Sequence, residues 1–303
     1  MKSNSPLLLF FWPLGYLLTA ICIAALIAIP VSQMIDVNFG LARIINRISL
    51  GLLVIGIIPM KKWLGLSLAE MGYSTHVRDF FRQIIQGFII GIIILSIAIV
   101  TLIYLKVRTV LPALINLPGK LSHELIASLR TGLIVGFLEE SLFRGLLFGA
   151  LLKYGSTVSA ITITALFYAA LHFIHGRNLV APSNIDWASG LAMVPDALLD
   201  LFNATHFDSF LALFFVSVFL SCVRLHRPMG LGLCIGLHTS WVFLLRLTKS
   251  FTELAPDPDW GFLVGNYDGI IGYLTGTWLL ILSSVFFIFI YRNKNKTHST
   301  VDQ

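Results

Sequence analysis

Eight runs of apolar residues dominate this chain of 303 residues. They lie at 6–32, 43–60, 84–105, 131–152, 156–175, 208–223, 229–248 and 269–291. A hydrocarbon core about 30 Å thick needs about 20 apolar residues for each helical span. Because lipid offers no hydrogen bonds to exposed backbone groups, spanning segments of this kind have to be helical. The runs therefore predict an all-α, polytopic membrane helix bundle with about eight transmembrane helices.

The charge content agrees with a membrane environment. Only 12% of the residues are charged, against about 25% in ordinary soluble domains, which excludes a soluble globular or disordered chain. The net charge of +6 is explained by loop Lys and Arg beside a cytoplasm or anionic lipid. No clustered basic face indicates a nucleic-acid partner. We expect one membrane domain over residues 1–303, embedded in membrane lipid as a multi-pass protein of a bacterial cell (inner) membrane.

Three charged residues lie near the middle of the fourth apolar run. They are Glu139, Glu140 and Arg144. Three charges at a helix centre cost roughly 8–10 kcal/mol, and the eleven Leu, Ile, Val and Phe residues of 131–151 offset only about 5 kcal/mol of this. These side chains must therefore be paired or face a wet cavity, which marks the run as a candidate functional site.

The spacing of the three charges predicts different partners for the two glutamates. Glu140 and Arg144 stand at positions i and i+4, so they meet on one face of a helix. Glu139 points about 100° away from Glu140, which leaves its carboxylate available as a base. A purely structural Glu–Arg pair would explain Glu140 and Arg144, but it would not explain the adjacent Glu139.

Small residues and histidines extend this pattern to other helices. Pairs of glycines with three residues between them, which allow close helix approach, flank the charges and precede His238: Gly132 and Gly136, Gly145 and Gly149, Gly232 and Gly236. They predict that Glu139 points at a neighbouring helix. His172 lies in the fifth run and His238 in the seventh. Carboxylates, an arginine and histidines on three apolar helices form a hydrolytic or metal-binding inventory.

Three short motifs in this region resemble those of a known family. Residues 139–144 match the motif EExxxR, residues 168–172 match (F/Y)xxxH with a tyrosine first, and residues 238–242 read HxxxV. Their order and placement resemble the CAAX-processing and abortive-infection (CPBP) family of intramembrane proteases. The resemblance covers about residues 125–250, which we take as the catalytic core.

The resemblance implies an intramembrane endopeptidase that hydrolyses a peptide bond of a membrane-associated protein or peptide. Glu139 would activate water with the help of His172, and His238 would stabilise the oxyanion. Glu140 and Arg144 would hold the helix and its electrostatics. The family has been described both as zinc-dependent and as metal-free glutamate proteases. In the zinc-dependent case, Glu139, His172 and His238 are the implied ligands.

The chain departs from the family pattern at one position. The family has Asn or Asp where this chain has Val242, and a missing oxyanion donor typically costs about 10²–10³ in rate. His175, Asn203 and Arg246 are the candidate substitutes. Two other functions stay open: a non-catalytic membrane immunity or scaffold protein that retains the fold, and a proton- or ion-coupled transporter. The absence of internal sequence repeats argues against the transporter.

Overall fold

Helices make up most of the described chain. The structure is a computed structural model that describes residues 6–34, 40–115, 117–174 and 187–299, and side chains there except those of 6–10, 113, 115 and 289–299. The α-helices are α1 (Pro6–Met34), α2 (Leu41–Ile55), α3 (Ile57–Trp63), α4 (Val77–Tyr104), α5 (Pro112–Ile115), α6 (Lys120–Glu140), α7 (Phe148–Tyr154), α8 (Thr157–Leu171), α9 (Trp187–Asp200), α10 (Phe207–His226), α11 (Leu231–Phe251) and α12 (Tyr273–Ser299). A π-helical segment, Ser141–Leu147, joins α6 to α7.

The only strands in the described ranges form one small ribbon. Strand β1 (Arg108–Val110) pairs antiparallel with β2 (Thr252–Leu254), with Thr109 opposite Glu253. Each strand has three residues, and the ribbon joins the end of α4 to the end of α11. The prediction of an all-α membrane helix bundle is confirmed.

The predicted count of eight spans is not confirmed. Among the described residues, four helical segments are long and apolar enough to cross a membrane: Phe11–Met34, Val77–Tyr104, Ala204–His226 and Leu231–Phe251. The pair α2 and α3, bent by 40°, would be a fifth. Helix α8 has only 15 residues, and α6 is followed by the charged π-helical segment. An apolar run in the sequence therefore does not always become one straight helix of spanning length.

Helix α11 packs closely against α4 and α6 through glycines. A Cβ atom added to Gly232 or Gly236 would collide with backbone atoms of α4 at Phe80 or Ile84. On the other side of α11, a Cβ at Gly132 of α6 would come within 2.5 Å of the Thr239 carbonyl oxygen. These contacts confirm the close helix approach that the glycine spacing predicts, since only a hydrogen atom fits between the backbones.

The glycines at positions 145 and 149 meet a turn segment rather than a helix. A Cβ at Gly149 would lie 2.9 Å from the carbonyl oxygen of Glu70, which belongs to the connection between α3 and α4. Lys153 of α7 holds the same connection through an ion pair with the Glu70 carboxylate at 2.9 Å. The Ser67 amide and Lys153 lower the pKa of Glu70 to about 2. This connection therefore packs against α7, the helix that follows the segment carrying Arg144.

We expect Gly236→Ala to destabilise the bundle. The added methyl group would meet Ile84 and the backbone nitrogen of Phe88 at 2.7 Å, and overpacking of this kind typically costs about 1–3 kcal/mol. Thermal unfolding of the detergent-solubilised protein measures the change. Gly51→Ala is the matched control, because no described atom lies within 4 Å of its Cβ. An unchanged unfolding temperature for Gly236→Ala would contradict the close packing of α11 on α4.

The long polar connection of residues 176–207 contains α9. Its first part lies outside the described residues, and α9 packs against α1 and α2. Buried residues of the three helices form one apolar cluster: Ala24, Ala25, Ala28, Leu41, Ala42, Ile44, Ile45 and Met193. A second, larger cluster fills the space around α7, α8 and α10. The buried apolar residues on both sides of Arg144 in the sequence, Phe143 and Leu146 among them, belong to this second cluster.

Candidate active site

The two adjacent glutamates end helix α6 where the π-helical segment begins. Such segments carry wider turns inside a helix and occur often at functional sites. The Arg144 Nη1 atom donates to Oε1 of Glu140 at 3.0 Å, and both side chains are fully buried. The predicted i,i+4 ion pair is therefore confirmed, and it lies inside the bundle rather than on its surface.

His238 of α11 lies between the two carboxylates. Its Nδ1 atom is 2.8 Å from Oε1 of Glu140, and its Nε2 atom is 3.8 Å from Oε2 of Glu139. The prediction that Glu139 points at a neighbouring helix agrees with this contact. Sequence reasoning did not foresee that both glutamates would reach one imidazole ring. The close packing of α6 on α11 through glycines brings the three groups together.

Arg144 also lies against an aromatic ring. Its guanidinium carbon is 4.6 Å from the ring centre of Tyr168, a distance at which the π-electrons attract the cation. Within the described part of the chain, its Nε and Nη2 atoms have no hydrogen-bond partner. The charge of Arg144 is therefore balanced by Glu140 and by the ring of Tyr168.

His172 follows the last residue of α8. Its Nδ1 atom lies 2.8 Å from the carbonyl oxygen of Tyr168. Because a carbonyl oxygen only accepts hydrogen bonds, Nδ1 carries the proton, and Nε2 keeps a free lone pair in the neutral ring. The Tyr168 ring lies 4.7 Å from the His172 ring and 6.1 Å from the His238 ring. The tyrosine that opens the second motif thus packs between the two histidines.

Two cavities meet at these residues. The first, the α1–α2 cavity, has a volume of about 240 Å³, and its apolar walls come mainly from α1, α2 and α9: Leu17, Ile21, Ala42, Ile45, Leu53, Met193 and Val194. The second, the α11–α12 cavity, has a volume of about 310 Å³ and includes the residues Trp241, Val242, Leu245, Arg246, Lys249, Asp268, Thr275, Trp278 and Leu279. Glu139 and His172 line both cavities, whereas His238 lines only the second.

The Glu139 carboxylate is suited to accept a proton. Its side chain is 20% exposed, and within the described residues its Oε2 atom is buried without a hydrogen-bond partner. A buried carboxylate oxygen that lacks a donor is costly unless a water or substrate donor reaches it. The two cavities beside it offer the space for such a donor.

The predicted zinc ligands do not form a metal centre in this arrangement. Among the described residues, no group of three or more His, Cys, Asp or Glu side chains is placed to hold a metal ion. Glu140 occupies Nδ1 of His238, and the Tyr168 carbonyl occupies Nδ1 of His172. These hydrogen bonds leave Nε2 of both rings available, so the misfit to zinc rests only on the placement of the side chains, and no step below is assigned to a metal.

The candidate substitutes for the family's Asn or Asp lie in different places. Val242 lines the α11–α12 cavity with an apolar side chain, and Arg246 lines the same cavity one turn further along α11. Asn203 caps a short 3₁₀ turn by accepting from the Thr205 amide and lines a different, apolar cavity. His175 lies outside the described residues.

One polar residue of the site was missed by sequence reasoning. Tyr267 lines both cavities together with Glu139 and His172, and its ring lies 6.4 Å from that of His172. It belongs to the connection between α11 and α12, far from the three motifs in sequence. The only signal was a tyrosine beside an aspartate in a short glycine-bounded connection (residues 265–269, GNYDG).

A comparison with known families agrees with the motifs. Residues 121–244 match the family model described as Rce1-like, type II CAAX prenyl endopeptidase Rce1-like. No curated protein and no solved structure matches the chain. The matched segment contains the glutamate pair, Arg144 and both histidines, and the apolar helices indicate an integral membrane protein. The match of residues 121–244 to the Rce1-like endopeptidases thus confirms the resemblance of this chain to the CPBP family.

Proposed function

We propose that the chain is an intramembrane endopeptidase that hydrolyses a peptide bond of a membrane-associated protein or peptide. One observation carries the proposal. The buried Oε2 atom of Glu139, which has no hydrogen-bond partner among the described residues, lies beside His238 where two cavities meet. The family match supports endopeptidase chemistry, and the geometry supports Glu139 as its base.

Glu139 would act on a water molecule held between the cavities. As the water oxygen attacks the peptide carbonyl carbon, Oε2 of Glu139 accepts one water proton, and the carbonyl oxygen becomes an oxyanion. The C–N bond then breaks, and the proton that Glu139 accepted passes to the leaving nitrogen, either directly or by way of the Nε2 lone pair of His172. The products are one carboxylic acid and one amine, so that one water molecule is consumed for each bond cleaved.

The Glu140–Arg144 pair would act by positioning. Glu140 accepts from Nδ1 of His238, so it turns Nε2 of that ring towards Glu139 and towards the reacting carbonyl. A protonated Nε2 would then donate to the oxyanion, which is the role that the family resemblance implies for His238. Because the pair is fully buried, it keeps this geometry free of competing water.

The substrate would reach the site from the lipid. The α1–α2 cavity is lined mainly by apolar side chains and leads to Glu139 and His172, which suits an apolar or lipid-modified segment. We place the protein in a bacterial cell membrane and do not assume a prenylated substrate there, because prenylation is a eukaryotic signal. The substrate class we propose is a membrane-anchored protein or peptide.

Cleavage by the purified full-length protein in detergent tests this function. The probes are three internally quenched peptides: one that ends in a farnesylated CAAX sequence, the same peptide without the lipid, and a single transmembrane segment. Mass spectrometry identifies the two products and the bond that was cut. Cleavage of any probe that disappears in Glu139→Gln supports the proposal. Failure to cleave all three, in protein with intact thermal unfolding, would contradict it.

Removal of metal ions should leave the activity unchanged. The donor atoms at the site do not form a metal-holding group among the described residues, so we expect dialysis against a chelator to preserve kcat. Metal analysis should find zinc well below one ion for each chain. A chelated protein that loses activity and regains it with zinc would contradict this expectation and assign Glu139, His172 and His238 as ligands.

A non-catalytic immunity or scaffold protein is the second candidate. Val242 favours it, because the side chain at that position in the α11–α12 cavity cannot donate a hydrogen bond. This alternative expects the cellular function of the chain to survive Glu139→Gln. Loss of that function, in a variant that still inserts and folds, would count against it.

A further inference from the structure

We propose that the Tyr267 hydroxyl is the oxyanion donor that replaces the family's Asn or Asp at position 242. The inference rests on the proposed endopeptidase function, and it names the missing part of that site. The donor would come from the connection between α11 and α12 rather than from α11 itself.

The position of Tyr267 relative to both cavities is the first support. Among the described residues that line the α1–α2 cavity and the α11–α12 cavity, only Glu139, His172 and Tyr267 line both. A substrate carbonyl attacked by a Glu139-activated water has to lie at that junction. Arg246 lines only the α11–α12 cavity, and its side chain is exposed. Tyr267 is therefore better placed than Arg246 to reach the reacting oxygen.

The ring of Tyr267 is held by aromatic neighbours. It meets His172 edge-on at 6.4 Å and the buried Phe173 at 5.2 Å between ring centres. Edge-to-face contacts at such distances are favourable and fix ring orientation. Because His172 is one of these neighbours, the tyrosine is positioned against the same residue that would move the proton.

The backbone that follows Tyr267 is held by several hydrogen bonds. Oδ1 of Asp268 accepts hydrogen bonds from the amides of Ile270 and Ile271, at 2.9 and 2.7 Å. Arg108 donates to the carbonyl oxygen of Gly269 at 2.9 Å, and Gly269 has a φ of +70°, which favours glycine. A connection held in this way can keep a donor in place without paying its ordering entropy in each reaction cycle.

The phenol remains a donor at neutral pH. Burial, together with the nearby carboxylates of Asp268 and Glu139, raises the pKa of Tyr267 to about 12. A phenol with so high a pKa keeps its proton at neutral pH. A neutral O–H also stabilises an oxyanion without forming an ion pair with the Glu139 base in the resting site.

The test compares Tyr267→Phe with wild type on whichever of the three peptides the wild type cleaves. We expect kcat to fall about 10²–10³-fold, the usual effect of one lost oxyanion donor. KM should change by less than about twofold, because the hydrogen bond strengthens mainly in the transition state. A phosphinate analogue of the cleaved peptide, which carries a tetrahedral oxyanion, should lose affinity by a factor similar to the loss of kcat.

Adding Val242→Asn to the Tyr267→Phe variant provides the rescue. The double variant should have a kcat at least about tenfold higher than that of Tyr267→Phe alone, because the amide at position 242 returns a donor to the α11–α12 cavity. Tyr273→Phe is the matched control, because Tyr273 is partly exposed at the start of α12 and lines neither cavity. Arg246→Gln tests the competing donor.

Each outcome decides the proposal. A Tyr267→Phe variant with wild-type kcat, or with equal losses in substrate and analogue binding, would overturn it. A large loss in Arg246→Gln with none in Tyr267→Phe would assign the donor to Arg246 instead. If Tyr267→Phe unfolds at a lower temperature, the affinities of its folded fraction for the analogue and for the substrate are compared with those of wild type. A loss of affinity for the analogue alone still supports the proposal, and equal losses still overturn it. A wild type that cleaves no probe would overturn the endopeptidase function itself, which is a separate failure.

Discussion

Replacing Glu139 by Gln should lower kcat for peptide cleavage by at least about 10²–10⁴-fold, the range expected for a lost general base. The amide has nearly the shape of the carboxylate, but it cannot accept the proton of the attacking water. The unfolding temperature should not fall, because Oε2 of Glu139 has no hydrogen-bond partner among the described residues. Rates with the cleaved quenched peptide and thermal unfolding in detergent measure the two effects.

The matched control is Glu253→Gln, which changes an exposed glutamate of strand β2 and should leave kcat unchanged. A single turnover in ¹⁸O-labelled water, followed by mass spectrometry of the product and of the protein, distinguishes a general base from a nucleophile. A general base leaves the label in the peptide product and none in Glu139, whereas a glutamate nucleophile would place label in its own carboxylate. Wild-type cleavage by Glu139→Gln would exclude Glu139 as the base and assign the activation of water to another group.

Arg144→Met should destabilise the protein by about 3–5 kcal/mol, which is the usual effect of removing one partner of a buried ion pair. Glu140 would then lie fully buried, with only His238 left to balance its charge. Detergent-based thermal or denaturant unfolding measures the loss. Turnover should also fall, because the same Glu140 oxygen orients the His238 ring.

The double variant Glu140→Gln with Arg144→Met distinguishes the loss of the ion pair from the cost of leaving one buried charge without its partner. Removing both charges avoids the uncompensated carboxylate, so we expect the double variant to be more stable than Arg144→Met alone. Its turnover should stay low, since a neutral amide holds His238 less firmly. Stability losses that simply add would contradict the coupling between Glu140 and Arg144, and wild-type turnover in the double variant would reduce the pair to a structural contact.

The local chemistry of the site could be predicted from the sequence. The i,i+4 spacing of Glu140 and Arg144 depends on helix geometry alone, and the cost of three charges in an apolar run requires a partner or a cavity for Glu139. His172 and His238 could be assigned to separate helices because they lie in different apolar runs of the sequence. What spacing cannot show is which partner each side chain finds, because that depends on how helices pack.

The span count shows where hydropathy is insufficient. Mean apolarity along a run does not report where a helix bends or stops, so the run at 43–60 becomes two helices bent by 40°. The run at 156–175 yields the short helix α8. Near the bend between α2 and α3, the Tyr16 hydroxyl of α1 donates to the carbonyl oxygen of Leu53, a contact between helices that a one-dimensional pattern does not contain.

By itself, the sequence determined that this chain is a helical membrane protein, and it predicted a candidate site centred on Glu139, Glu140 and Arg144. Both follow from local energetics, namely burial of apolar residues and the penalty on charge in lipid. The tertiary structure alone decided that His238 contacts both glutamates and that Tyr267 joins Glu139 and His172 between two cavities. Tyr267 is distant in sequence from the other two residues and belongs to no helical periodicity, so only the packing of α11 and α12 brings it to the site.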